Sequence, residues 1–70
     1  MNKNNKVVQQ IQFVRNDARG RASCQIEVFE DGSAYVAGDD VEVIFEESAQ
    51  SIERAVKYVE ARGYVRCPQP

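Results

Sequence analysis

Residues 41–63 read VEVIFEESAQSIERAVKYVEARG, and the change of rhythm inside this stretch decides the fold. Before Ser48, the residues Val41, Val43 and Phe45 alternate with Glu42, Ile44 and Glu46. Period 2 marks a half-buried strand, because successive side chains leave opposite faces. From Ser48 onward, Ala49, Ile52, Val56 and Val59 recur at helical spacing, with Ala55 between them, so one stripe faces apolar surface. Ser48 is placed to cap this helix, and Glu46 and Glu47 stand where a helix N-terminus favours negative charge. Gly63 after Arg62 fits the stop. A strand running into a helix of about residues 48–62 predicts an α+β domain.

Working back toward the N-terminus, the signals are all of strands and turns. Ile11 and Phe13 alternate with Gln10 and Gln12 in a strand spanning Lys6 to Arg15, with Val7 on the Ile11 and Phe13 face. The run from Asn16 to Gly20 supplies turn chemistry. A second strand runs from about Arg21 to Glu30, with Cys24, Ile26 and Val28 on one face and Ser23, Gln25, Glu27 and Phe29 on the other. Asp31-Gly32 is a hairpin signal in which both residues tolerate positive φ. A third strand follows over Ala34 to Ala37. Gly38-Asp39-Asp40 reads either as a second turn or as a bulge within one longer strand. Past the helix, Tyr64 to Cys67 leaves room for a short last strand before Pro68 and Pro70.

The expected architecture is therefore an antiparallel meander of three or four strands with one helix laid across one face. Residues 1–5 read as a frayed tail, 6–67 as a single domain and 68–70 as a second tail. The predicted core is Ile11, Phe13, Cys24, Ile26, Val28, Val41, Val43, Phe45, Ile52, Val56 and Val59. No second helix covers the opposite sheet face, where Val14, Phe29, Tyr35 and Ile44 fall among glutamines and glutamates.

Size and composition limit function. A chain of 70 residues with 43% apolar and 29% charged residues is an ordinary globular composition, and its core is thin. No apolar run approaches the roughly 20 residues of a membrane span. The segment after the basic start is too polar for a signal peptide, so a cytoplasmic location is expected. Histidine, the usual general acid and base, is absent. Cys24 belongs to an apolar face and has no adjacent base to activate it. The acids stand at outward strand positions and turn tips, where solvation keeps their pKa values ordinary. No glycine-rich phosphate loop and no metal-ligand spacing appears. The expectation is a protein that is not an enzyme and holds no cofactor or metal. Cys24 and Cys67 are free thiols in a reducing compartment, a single bridge being the other reading.

Net charge is −2, but the charges are segregated. From Ala22 to Glu53 the chain carries nine acids and no base, while the segments on either side are net positive. Such asymmetry concerns partners rather than fold. One reading is a solvated face that keeps the protein soluble. The other is that Glu27, Glu30, Asp31, Asp39, Asp40, Glu42, Glu46 and Glu47 gather on the outer face and one sheet edge, beside Phe29, Tyr35 and Ile44. An apolar patch with an acidic rim is a contact surface for a basic partner, and self-association would use the same apolar residues. Arg15, Arg19 and Arg21 flank one hairpin tip and could touch phosphate. However, they lack an interleaved aromatic platform, and the pI is near 5.0, so direct nucleic-acid binding is not expected.

Two resemblances follow from these residues. The stretch from Glu30 to Ala37 and the amphipathic helix of 48–63 resemble the partner-binding domain of HicB-type antitoxins, which implies a small toxin as partner. The Pro-Gly-Cys-like turn that this family carries before its helix is missing here. In size, acidic charge pattern and lack of catalytic motifs, the chain is also similar to phage-encoded anti-CRISPR proteins. That likeness implies an inhibitor whose partner is a host protein or ribonucleoprotein complex with a basic surface. It carries no functional residues with it.

Overall fold

The computed structural model describes residues 6–46 and 50–68. Its elements in chain order are β1 (Val7–Asp17), β2 (Gly20–Phe29), β3 (Ala34–Gly38), β4 (Glu42–Phe45), α1 (Ser51–Ala61) and β5 (Val65–Arg66). The strands form one antiparallel sheet of five in the order β4-β3-β2-β1-β5. The helix packs against β2, β3 and β4, so the fold is the expected α+β meander with one covered and one open face.

Register builds the core row by row. Ile11, Ile26, Val36 and Val43 stand opposite one another across β1 to β4. The first three of these are at most 2% exposed. The next row is Phe13, Cys24 and Gly38. Here β3 comes so close to β2 that a Cβ on Gly38 would lie 2.3 Å from Cys24 Cβ. That approach admits only glycine, and Gly38 then opens a turn in which its N–H donates to Val41 O at 2.9 Å. Residues 38–41 are thus a hairpin turn between two strands, not a bulge in one.

Three local expectations are corrected. First, among the described residues no non-glycine residue has positive φ, so Asp31 does not share that conformation with Gly32, whose φ is +93°. Gly32 N–H donates to Phe29 O, and Phe29 N–H to Ser33 O, the pattern of a three-residue hairpin loop with glycine at the bulge position. Asp31 Oδ1 instead accepts from Ser33 N–H at 2.8 Å and holds the loop from within. Second, a register shift between Val7 and Gln9 inserts an extra residue in β1 and sets Val7 opposite Phe29. Paired residues share a face, so Val7 joins the outer side rather than the Ile11 side. Third, the helix begins at Ser51 with Gln50 at the cap position. Ser48 and Glu47 lie outside the described residues.

The helix is also rotated from the expected stripe. Ser51, Ala55 and Val59, spaced by four, form its buried line, while Ile52 is 40% exposed. Two small residues let the helix axis settle close to the sheet, and the Ser51 hydroxyl donates to Gly32 O beneath it. Val56 and Tyr58 pack at the margin of the core, where the Tyr58 ring meets Phe45 edge-on at 5.8 Å.

Candidate functional site: an acid-edged sheet face

The open face can be read directly from the register. One row across it is Gln10, Glu27, Tyr35 and Ile44, and the next is Gln12, Gln25, Ala37 and Glu42. Hydrogen bonds join the polar members into a ladder. Gln10 and Gln25 each donate an amide N–H to Glu27 Oε2 at 3.2 Å, and Gln12 donates to Gln25 Oε1 at 3.0 Å. At the β4 side, Tyr35 OH donates to Glu42 Oε2 at 2.5 Å. That bond pushes the tyrosine pKa up, since deprotonation would set two anions together.

Beside the ladder lies a shallow depression of about 450 Å³ lined by Phe29, Ser33, Ala34, Tyr35, Glu42 and Ile44. Phe29 and Tyr35 are half-buried, and Ile44 is 63% exposed on the short edge strand β4. At its β2–β3 loop end, Phe29 N–H donates to Ser33 O at 2.9 Å, so the two lining residues stand side by side. Four residues that the alternation pattern assigned to a contact surface are therefore neighbours, with Glu27 directly opposite Tyr35.

The remaining acids separate into two groups. Glu30 and Asp31 belong to the β2–β3 loop, and Glu46 follows β4 at that same end of the sheet. Asp39 and Asp40 occupy the opposite end, where both are exposed and both accept hydrogen bonds from other strands or the chain's end. Asp39 Oδ2 accepts from Ser23 N–H at 2.9 Å. Asp40 accepts from Arg15 Nη1 and from Tyr64 OH, each at 2.5 Å. The single acidic surface expected from the sequence is thus an acid-edged face plus one loop end, without Asp39 and Asp40.

Arg15 is the largest departure from expectation. It is 6% exposed, stands opposite Ala22 on the inner face, and lies 5.3 Å from the centre of the Tyr64 ring. Its Nε lies 3.3 Å from Asp17 Oδ2, without hydrogen-bond geometry. Hydrogen bonds from Tyr64 and Arg15 hold the Asp40 carboxyl below its usual range. Burial, then Asp40, pushes the Tyr64 hydroxyl up to about 12. Period 2 continued one step past Ile11 and Phe13 would have found Arg15. Tyr64, alone after Gly63, gave no periodic signal. Arg19 is tied at 2.8 Å to Asp17 at the hairpin tip, so of the three arginines Arg21 alone lacks an ion pair among the described residues. Buried on the inner face, Arg15 does not stand exposed beside Arg19 and Arg21 at the hairpin tip.

Among the described residues, no group of three or more His, Cys, Asp or Glu is placed to hold a metal ion, and both cysteines are free. No described helix is long and apolar enough to cross a membrane. No protein-family model, no curated protein and no solved structure matches the chain.

Proposed function

We propose that the chain is a non-catalytic binding protein that inhibits a nucleic-acid-handling complex of a host cell, a CRISPR effector in the first instance. In this reading the open sheet face is set onto a basic groove or subunit. The observation that supports it is the depression lined by Phe29, Tyr35 and Ile44 and edged by Glu27 and Glu42. The carboxylates favour a positively charged partner and speed the encounter, while the apolar side chains contribute affinity once water leaves. Hydrogen bonds among Gln10, Gln12, Gln25 and Glu27 already fix these side chains on the open face, which lowers the ordering cost of docking.

The test is target binding and cleavage by purified effector complexes with the protein added. Inhibition that is weakened by Glu27→Lys with Glu42→Lys, and by Ile44→Ala, supports the reading. Unchanged effector activity at saturating protein sinks it. If co-expression instead rescues growth from a small toxin encoded beside it, the face serves an antitoxin of the HicB kind.

A further inference from the structure

We infer that the free edge of β1 is a pairing edge for a second copy of this chain, joining two sheets about a two-fold axis near Gln9. On one side β1 is paired with β2 from Val7 to Asp17, apart from the bulge at Val8. On its other side, β5 pairs with Phe13 and Val14 alone, and Cys67 N–H reaches Gln12 O at 2.8 Å. Pro68 has no N–H and cannot extend that ladder. Among the described residues, no strand lies beyond Val7 to Ile11, whose outward N–H and C=O groups form an open template.

The occupant follows from the chemistry of that edge. Val7, Val8, Gln9, Gln10 and Ile11 carry no charge, and Val7 and Val8 are 42% and 62% exposed. Antiparallel pairing about Gln9 sets Gln9 against its own copy and Val8 toward Gln10, while Val7, turned to the outer face by the bulge, stays out of register with Ile11. A glutamine amide both donates and accepts, so it can face itself without an unmatched group. The bulge between Val7 and Gln9 displaces Val8 but leaves Gln9 to Gln12 in regular register. The other edge of the sheet is built differently. β4 is four residues long and bounded by Glu42 and Glu46, so the same symmetric pairing about Ile44 would oppose two carboxylates. One edge repels its copy and the other matches it. A two-fold axis normal to the sheet also leaves both open faces on the same side, so the dimer would present two acid-edged depressions side by side.

The experiment is sedimentation equilibrium of the full chain, with circular dichroism to verify folding. A concentration-dependent monomer–dimer equilibrium is expected. Gln9→Lys should weaken it several-fold by opposing like charges at the axis, and Gln9→Glu should do the same. Mixing the two variants should restore a heterodimer. Ile44→Ser on the far edge should leave the dimer intact. A chain that stays monomeric at high micromolar concentration overturns the inference. So does a dimer that is indifferent to both Gln9 variants or abolished by Ile44→Ser. None of these outcomes depends on whether an effector complex is inhibited.

Discussion

Asp40, Arg15 and Tyr64 close the end of the sheet away from the depression, and their protonation states make the end sensitive to acid. The hydrogen bonds from Tyr64 and Arg15 favour the charged carboxylate and lower its pKa from the usual 3.8. A group whose pKa is lowered on folding stabilises the fold above its unfolded value, and that contribution is lost as pH falls through the folded value. Asp40 should therefore contribute fully at neutral pH and progressively less below about 3.8. Urea unfolding of wild type and Asp40→Asn as a function of pH checks this. The variant should be less stable at pH 7, and the difference should shrink in acid. A difference that stays constant with pH would assign the effect to packing alone. A second residue-scale test concerns the thiols. Burial raises the Cys24 pKa to about 11, leaving little thiolate at pH 8, whereas Cys67 is half-buried just after the last strand. Brief alkylation of native protein followed by mass spectrometry should modify Cys67 and spare Cys24. Equal labelling would contradict the buried placement.

At the scale of elements, alternation in the chain reports strands well and close approaches poorly. Inward positions Ile11, Phe13, Cys24, Ile26 and Val28 were legible because they repeat every second residue beside polar neighbours. Val36 sits on the same covered face. It was obscured because β3 has small or apolar residues on both faces. The β1 bulge was not legible, because nothing in Val7-Val8-Gln9 distinguishes an inserted residue from a regular one. The helix orientation escapes the sequence pattern for a related reason. Apolar size drew the stripe through Ile52, whereas contact with a sheet rewards small residues such as Ala55. Val59→Ala should cost about 2 kcal/mol of stability, and Ile52→Ala less than about 1 kcal/mol. Thermal or urea unfolding compares them, and a reversed order would restore the Ile52 stripe. Gly38 gives the sharper test of packing between β2 and β3. Alanine there would place a methyl within contact of Cys24 and Ser23, an overpacking penalty of about 2 kcal/mol or more.

For the whole molecule, charge segregation in the chain is partly translated into charge segregation in space. Glu27 and Glu42 reach the open face, whereas Asp40 is drawn into the basic end by Arg15. Sequence order could show that acids were concentrated, but not which of them fold back on an arginine from another strand. The surviving pair makes a kinetic prediction for the proposed docking. Long-range attraction acts on the approach of two molecules, and salt screens it beyond a Debye length of about 8 Å at physiological ionic strength. Short-range apolar contact acts on departure. Glu27→Gln with Glu42→Gln removes two charges yet leaves Tyr35 an acceptor, so the face keeps its shape. That variant should bind the partner with a slower association rate, a flatter dependence on salt and a nearly unchanged dissociation rate. Ile44→Ser removes an exposed side chain that is buried only on docking, so folding is spared. Burying an isoleucine contributes about 1.5–3 kcal/mol, so dissociation should accelerate by about tenfold or more. Surface plasmon resonance across a salt series separates the two effects. If the charge variant instead alters dissociation alone, the carboxylates make direct contacts rather than steer. If neither variant changes either rate, the partner does not use this face.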